Sequence, residues 1–392
     1  MVTMTTAQNA LKELYLDVVS NQLNTKTNVL FNQFKQTTAD IYGRDVQRLV
    51  PFGLNGGVGA GDEGGVLPSS DGNSYVNLTS TLKNLFGTIE ISDKAIKVSS
   101  DDAGAFVNLL TAEMEGLVSA SKFNLGRMLY GDGSGKLTTV SSANVSANTI
   151  TVASVNNLME GMVVDFYSST TPVSGFTGVR ILSIDRVAKK ITVSTAVTSA
   201  FSTNANGYTI YVQGSKDQEL TGLEAIFAQS GSIYGLSKSN YPWLVSYLKT
   251  KSGNETFDEQ LVQGTMDEVE FRTGNKMNFL VTTNALKRAF AENLRTTSKN
   301  LDVANLEGGY KTLTFNGIPF YGDKFVPDGT LYMLNTDDFR IHQLCDWEWL
   351  ANEDGSILKQ KQGYASYLAT LVKYAELVCS KPGAQGKMAS LS

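Results

Sequence analysis

Tight-turn signals inside one extended stretch, Lys311–Leu344, constrain the fold of this chain more than any other feature. The stretch reads KTLTFNGIPFYGDKFVPDGTLYMLNTDDFRIHQL and has turn signals at Asn316–Gly317 and Pro327–Gly329. Proline presets φ for a turn, and glycine accepts a positive φ without a steric penalty. The residues between the turns alternate as strands do. The stretch therefore predicts β-hairpins, and it contains no recognisable catalytic group.

The composition favours a structural role over a chemical one. The chain has 392 residues, which is enough for a large core and more than one domain. Charged residues make up 18% of it, below the usual fraction of about 25%. Serine, threonine, asparagine and glycine replace them and give a neutral polar surface suited to broad contacts with other subunits. The net charge of −5 and the lack of a dense lysine or arginine cluster argue against a dedicated nucleic-acid binder.

The few cysteine and histidine residues exclude the common metal and nucleophile sites. Cys345 and Cys379 are too few for a disulfide framework, and we expect both to be buried free thiols. His342 is the single histidine and no G-x-S-x-G motif occurs, so a serine–histidine–aspartate triad is not expected. We therefore predict a structural role for His342. We predict no catalytic, cofactor-binding or metal-binding residue, and no cofactor.

The N-terminal region shows no targeting signal. Lys12, Glu13 and Asp17 interrupt every apolar run near the start, and no run of about 18 apolar residues occurs elsewhere. We therefore expect a protein that is made and assembled in a cytoplasm and has no membrane partner. Residues 1–50 have the pattern of an arm, in which Ala7–Asn24 predicts an amphipathic helix that needs a partner surface.

A glycine-rich segment, Gly53–Leu82, follows the arm. Its run Gly56–Gly61 is followed neither by Lys-Ser/Thr nor by a helix pattern, so it matches neither a Walker loop nor a dinucleotide-binding fingerprint. The following stretch Lys83–Val98 alternates as a strand does. We predict a long β-hairpin with its return strand there. Arms of about 20 residues would reach roughly 65 Å if extended, which is far enough to contact a neighbouring subunit.

A long helix is predicted from Asp101 to Tyr130. Ser99–Asp102 supplies hydroxyl caps and then carboxylates at the positive end of the helix dipole. Gly116 and Gly126 lie inside the helix, where each costs about 1 kcal/mol relative to alanine. We expect them to let another backbone approach closely. The apolar stripe of the helix comprises Phe106, Leu110, Met114, Leu117, Leu125 and Met128.

The rest of the chain alternates between β-rich and mixed segments. Residues 136–215 are rich in serine, threonine and valine and predict a small inserted β-module, with strands at Thr149–Ala153, Met162–Phe166, Val179–Ile184, Lys190–Ser194 and Tyr208–Val212. Asn278–Thr283 predicts a strand that leads into a helix over Asn284–Leu294. Tyr364–Cys379 predicts an apolar strand near the C-terminus.

Three carboxylates on another predicted helix, Phe257–Phe271, raise the question of an acidic site. Asp267, Glu268 and Glu270 occupy the polar positions of this amphipathic pattern. We therefore interpret them as surface residues of the helix, not as a catalytic pair.

The order of these elements resembles that of the tailed-bacteriophage major capsid protein, the Hong Kong 97-like fold shared with encapsulins, over nearly the whole chain. Lys311–Leu344 in particular resembles its late β-region. The resemblance implies an α+β fold with six regions. These are an N-terminal arm (1–50), an E-loop with its return strand (51–98), a P-domain spine helix (99–135), an inserted β-domain (136–215), an A-domain (216–310), and P-domain strands with a C-terminal return strand (311–392).

The resemblance also implies a function that is not enzymatic. Such a chain would assemble with itself into hexamers and pentamers of an icosahedral shell that encloses double-stranded viral DNA. It would be found in the virion capsid after assembly in the host bacterial cytoplasm. A portal protein would be a further partner.

Two departures from the family pattern limit what is carried over. Residues 51–82 contain no lysine, so covalent crosslinking through the E-loop is not expected. The roughly 50 residues of the arm leave no space for a long cleavable scaffolding segment. That implies either a separate scaffolding protein or an earlier maturation cleavage, and Met1 favours the former.

Two other functions stay open at this point. An encapsulin-like nanocompartment shell protein would share the fold, although the inserted module and the chain length favour the viral interpretation. A carbohydrate-active β-rich protein would fit the serine- and threonine-rich composition. That class is disfavoured because no paired acidic cluster in an aromatic cleft can be identified in the sequence.

Overall fold

A computed structural model describes residues 28–391, apart from 54, 68, 70–71, 95–102, 146, 254, 297–302, 306–310, 352–354 and 356. The predicted helix Ala7–Asn24 and the predicted helix start Ser99–Asp102 lie outside the described residues. No helix within them is both long enough and apolar enough to cross a membrane.

Six α-helices are present in the described residues. They are α1 Val29–Gln33, α2 Ala103–Tyr130, α3 Ser199–Asn204, α4 Leu223–Phe227, α5 Glu259–Thr273 and α6 Asn284–Thr296. The predicted long helix is confirmed as α2, and the predicted strand-to-helix unit is confirmed as β16 (below) and α6.

Twelve strands precede residue 220. They are β1 Lys35–Thr37, β2 Ile41–Tyr42, β3 Asp45–Phe52, β4 Ser74–Thr81, β5 Lys83–Ser92, β6 Lys136–Asn144, β7 Thr149–Val152, β8 Val163–Ser168, β9 Thr171–Pro172, β10 Val179–Asp185, β11 Lys190–Val193 and β12 Thr209–Val212.

Thirteen strands follow residue 220. They are β13 Ser232–Ile233, β14 Leu236–Ser237, β15 Tyr247–Thr250, β16 Phe279–Thr282, β17 Val303–Asn305, β18 Lys311–Phe315, β19 Ile318–Gly322, β20 Leu331–Leu334, β21 Phe339–Gln343, β22 Glu348–Trp349, β23 Lys359–Gln360, β24 Ser366–Cys379 and β25 Gly386–Ala389.

The central strand of the first large sheet is β24, the predicted apolar C-terminal strand. It pairs antiparallel with β5 along residues 366–375 and with β21 along residues 375–379, and β1 adds to the far side of β21. Helix α2 packs on β5 next to Gly87. A Cβ atom at that glycine would lie 2.7 Å from Leu117 Cδ1, so the absent side chain permits the close packing of helix on sheet.

The second large sheet has the order β15-β25-β20-β16-β19-β18-β17. The turn predicted at Asn316–Gly317 joins β18 to β19, with φ of 51° and 78° at its two residues, as the hairpin turn requires. Helices α5 and α6 cover the sheet. Val269 and Phe290 of these helices lie in one apolar cluster with Leu280 of β16.

Backbone pairing in this sheet crosses the region boundary predicted between residues 310 and 311. Strands β18, β19 and β20 follow that boundary, yet β19 and β20 both pair with β16, which precedes it. The predicted division into an A-domain (216–310) and P-domain strands with a C-terminal return strand (311–392) stays a prediction. Within Lys311–Leu344, strand β21 alone joins β24, because backbone pairing and not chain order decides sheet membership.

Residues 136–212 form a separate β-structure with its own core. Strands β6, β7, β11, β10, β8 and β12 pair in a closed circuit, since β10 bonds to β8 as well as to β11. We call this closed sheet the barrel. Its core contains Phe166, Phe176 and Phe201, and the last two rings stack 3.8 Å apart. All five strands predicted in this segment are confirmed, and β6 and the short β9 are additions.

A β-hairpin encloses the glycine-rich segment, but its strands lie earlier in the chain than the predicted ones. Its strands are β3 and β4, which pair from Asp45–Thr81 to Phe52–Ser74. The prediction that the hairpin starts at residue 51 and returns through Lys83–Val98 is therefore wrong. Strand β5 instead belongs to the β24 sheet, because its alternate side chains Leu85, Ile89 and Ile91 are buried there. Eight paired residues per arm span about 27 Å.

Candidate assembly surfaces

The β3–β4 hairpin has one face packed on its own subunit and one face in solvent. On the inner face, Val46 and Val50 are buried and the Phe52 ring stacks on Trp243 at 5.9 Å. On the outer face, Leu49 and Tyr75 are exposed. The period of two in a strand places these sets on opposite faces. The inner contacts hold the hairpin in place, and the outer face is free to meet another molecule.

The loop that closes this hairpin exposes further apolar side chains. Val66 and Leu67 are 97% and 85% exposed, and Val58 is almost as open. Each would gain about 1.5–3 kcal/mol from full burial. Exposed apolar groups that lie together are typical of protein interaction sites. The loop and the outer face of the hairpin are therefore both candidates for contact with a neighbour.

The two glycines of α2 differ in their surroundings. A Cβ atom at Gly126 would lie 2.6 Å from Phe325 Cε2 and 2.8 Å from Asn28 Nδ2, so that glycine permits close packing within the subunit. A Cβ atom at Gly116 would have no atom within 4 Å among the described residues. The expected close approach is thus found at Gly126, where side chains and not a backbone approach. Gly116 faces open space.

The single histidine is buried in β21. His342 Nδ1 lies 3.0 Å from the Ala39 carbonyl oxygen. Burial lowers the pKa of His342, and the Ala39 contact opposes that shift only in part. The neutral ring therefore links β21 to the turn before β2. This position agrees with the structural role predicted for the residue.

The two thiols have different environments. Cys379 is fully buried at the end of β24, and burial raises its pKa well above the ordinary value. Cys345 is partly exposed, which corrects the prediction that both thiols are buried. Among the described residues, no three His, Cys, Asp or Glu side chains are grouped as a metal site would require.

The three carboxylates of α5 each have a separate neighbour. Glu268 Oε1 lies 2.7 Å from Arg272 Nε, and Glu270 Oε1 lies 3.5 Å from Lys276 Nζ. Asp267 accepts a hydrogen bond from the Gln263 amide. The interpretation of Asp267, Glu268 and Glu270 as surface positions of a helix is confirmed.

Buried polar contacts at the C-terminal end of α2 are absent from the sequence predictions. Arg127 donates two hydrogen bonds to the Glu219 carboxylate, at 2.6 and 2.7 Å, and both side chains are almost fully buried. Glu376 Oε1 accepts hydrogen bonds from the backbone N–H groups of Thr221 (2.8 Å) and Leu377 (3.0 Å). These contacts fasten the segment after the barrel to both α2 and β24. No local motif signals them, because the partners lie 92 and 155 residues apart.

Solved structures of other proteins share this arrangement of sheets and helices. No family model matches the chain, and no curated protein sequence does. A chain of the structure of the cyanophage A-1(L) capsid asymmetric unit is similar to this chain, with a TM-score of 0.56 and 12% identity. The match covers 94% of this chain and 91% of that chain.

Two further solved structures are similar at lower TM-scores. A structure of Mycobacterium phage Bobi matches over 99% of this chain and 98% of its own, with a TM-score of 0.46 and 10% identity. The holo-SrpI encapsulin complex of Synechococcus elongatus matches over 96% and 95%, with a TM-score of 0.45 and 12% identity. The fold assignment rests on the A-1(L) match, which of these three has the TM-score above 0.5. The chain has the Hong Kong 97-like fold that its order of elements predicts.

Proposed function

We propose that this chain is a major capsid protein that assembles with itself, in hexamers and pentamers, into an icosahedral shell enclosing double-stranded viral DNA. The observation that carries the proposal is the match of nearly the whole chain to the capsid subunit of cyanophage A-1(L). The match covers 94% of this chain and 91% of that chain. Identity is low, so it is the arrangement of elements that supports the function.

The surfaces of the subunit support assembly. Strands β3 and β4 hold a loop whose Val66 and Leu67 side chains have no cover within the subunit. Burial of such groups against a neighbour is the dominant favourable term in most protein association. The histidine and two of the α5 carboxylates have contacts within the subunit. His342 contacts Ala39, and the α5 carboxylates contact their own helix or its end.

We further propose how the parts of the subunit correspond to the regions of the fold. The β24 sheet with α2 would be the P-domain and its spine helix. The β16 sheet with α5 and α6 would be the A-domain. The β3–β4 hairpin would be the E-loop, and the barrel would be a domain inserted between α2 and the A-domain.

Partners other than the chain itself also belong to the proposal. A separate scaffolding protein would guide curvature, and a portal protein would occupy one vertex. Assembly would take place in the cytoplasm of a bacterial host, and the mature location would be the virion capsid.

Electron microscopy of the purified full-length chain, alone and with nuclease treatment, tests the proposal. We expect closed shells, or hexamers and tubes if a scaffolding protein is needed for closure. Nuclease-resistant DNA inside shells recovered from infected cells would support the viral function, whereas shells filled with a protein cargo would indicate a nanocompartment. A chain that stays monomeric at every concentration would contradict both.

A further inference from the structure

The outer face of α5 carries a stripe that the contacts within the subunit leave in solvent. Gln260, Gly264, Asp267 and Phe271 recur at helical spacing and therefore lie on one face, and all four are exposed. Phe271 is 88% exposed. An aromatic ring held in water gains nothing for the isolated subunit, so this ring marks the face as a candidate interface.

The same face is grooved and acidic. Two open grooves, of about 430 and 510 Å3, meet at Gly264, where a Cβ atom would find no atom of the described residues within 4 Å. Arg272 is the one cationic residue of α5. The carboxylates of α5 are those of Glu259, Asp267, Glu268 and Glu270. The face therefore suits a partner that brings positive charge and a small apolar group.

The turn between β10 and β11 on the barrel has this character. Val187 lies at its tip and is 96% exposed. Arg186 precedes Val187, and Lys189 and Lys190 follow at the start of β11. Neither lysine forms an ion pair within the described part of the chain.

The shape of the turn is fixed by its own hydrogen bonds. Asp185 Oδ1 accepts from the backbone N–H groups of Val187 at 3.0 Å and Ala188 at 2.9 Å. A turn held in this way presents its side chains with little loss of conformational entropy on binding. Arg186 lies 3.7 Å from Glu160, which leaves the two lysines as the cations best placed to reach outward.

We propose that the β10–β11 turn of one copy binds the outer face of α5 on a second copy. Val187 would contact Phe271, and Lys189 and Lys190 would lie against the carboxylates around Gly264. The opposite charges and the exposed apolar group on each surface favour this pairing over a partner of another kind. This inference rests on the proposed self-assembly and names a contact that would serve it.

Two surfaces of different shape that bind each other make a head-to-tail contact. Such a contact repeats around a ring when the rotation closes, and continues along a surface when it does not. Within one subunit, no hydrogen bond or ion pair among the described residues connects the turn to α5. The contact would therefore form between copies.

Charge reversal on the two surfaces, separately and together, tests the contact in the full-length chain. Lys189→Glu with Lys190→Glu would place like charges together, and so would Asp267→Lys with Glu270→Lys. We expect each pair of substitutions to raise the critical concentration for assembly about tenfold. The combination of all four should restore it to within about twofold of the unmodified chain.

A mismatched combination, with acidic residues away from α5, distinguishes an effect of the local contact on assembly from an effect of net charge. Lys189→Glu and Lys190→Glu combined with Asp328→Lys and Glu348→Lys changes the same number of charges, but these two exposed acidic residues lie outside both α5 and the hairpin loop. We expect no restoration from it. Circular dichroism and a thermal melt of each variant establish that the subunit is folded.

The outcomes distinguish this inference from the proposed function. Assembly of the unmodified chain that persists unchanged in both single-surface variants would leave the capsid function standing and end the proposed contact. Restoration by the mismatched combination, or none by the matched one, would also end it. Failure of the unmodified chain to assemble under any condition would instead contradict the proposed function itself.

Discussion

Glu376 is a fully buried carboxylate at the junction of β24 with the segment that follows the barrel. Burial raises its pKa from the ordinary 4.5 to about 7, and the hydrogen bonds from Thr221 and Leu377 offset only part of that shift. Its second oxygen, Oε2, has no hydrogen-bond partner among the described residues. The folded subunit therefore holds this proton more tightly than the unfolded chain does.

This proton linkage predicts a pH dependence of stability. A raised pKa for an acid means that the stabilising contribution is complete below about pH 4.5 and is lost as pH rises through about 7. The free energy of unfolding of the unassembled subunit should fall across that window by at most about 3 kcal/mol. Glu376→Gln should flatten this part of the profile. The measurement is urea unfolding between pH 4.5 and 8, with Glu63→Gln on the exposed loop as a control that keeps the slope.

The two glycines of α2 predict opposite effects of one substitution. Gly126→Leu would force Phe325 and Asn28 apart and should lower the free energy of unfolding by about 1–3 kcal/mol, as overpacking does. Gly116→Leu meets no atom and should raise helix propensity by up to about 1 kcal/mol. We expect the Gly116 variant to stay folded yet to fail in shell formation, because its new side chain would occupy a surface used by a neighbour. Normal particles from that variant would show that Gly116 is incidental to assembly.

At the scale of elements, the barrel is the part of the chain with the most independent core. Its closed circuit of strands leaves only the short β9 outside, and Phe166, Phe176 and Phe201 pack among themselves. The two chain segments at its base also bond to each other, since Asp217 N–H donates to the Ser134 carbonyl at 2.8 Å.

The barrel should therefore fold when expressed alone as residues 134–217. We expect a circular dichroism spectrum of the β type and one cooperative thermal transition. Phe201→Ala, which removes a ring from the core, should lower the melting temperature or abolish the transition. The control is Val187→Ala, because Val187 contacts no core residue. A spectrum typical of random coil for the unmodified fragment would show that the barrel depends on α2.

Elements with a strong local pattern are predictable from this sequence, and their partners are not. The turn at Asn316–Gly317 requires a positive φ at both residues, and the dipeptide Asn-Gly is typical of such turns. The β18–β19 hairpin is therefore predictable from the local sequence alone. The alternation within Lys83–Ser92 identifies a strand equally well. Nothing in that alternation says that the strand pairs with β24 and not with the hairpin before it. Long-range register depends on the packing of Leu85, Ile89 and Ile91 against residues that lie far along the chain.

The candidate surfaces show the same limit. The glycine-rich loop and the interpretation of the α5 carboxylates are accessible from the sequence, because each is a local composition pattern. The ion pair of Arg127 with Glu219 and the burial of Glu376 cannot be predicted from the sequence. Arginine and glutamate are each typical of exposed positions, so none of the three residues signals its burial. The exposure of Phe271 is hidden for the opposite reason, as a phenylalanine in an amphipathic pattern is ordinarily interpreted as core.

For the whole molecule, stability should depend on the concentration of subunits. Binding to the folded state adds stability by mass action, so assembly couples the melting temperature to total protein. When assembled particles unfold reversibly, their melting temperature should rise as the protein concentration rises. A barrel fragment, which lacks the proposed assembly surfaces except the β10–β11 turn, should show no such trend. A melting temperature of the full-length chain that is independent of concentration would count against coupled assembly.

The pairing of β5 with β24 has a consequence for synthesis on the ribosome. Residues 83–92 pair with residues 366–375, which are synthesised much later. Strand β1 likewise pairs with the later strand β21. At about 5–20 residues per second, tens of seconds separate the emergence of the two halves of this sheet. The barrel can close in that interval, whereas the sheet beneath α2 is completed only after residues 366–375 have emerged. A nascent chain would thus hold a closed barrel before it holds the completed sheet beneath α2, so the barrel would fold first and the sheet of the subunit afterwards.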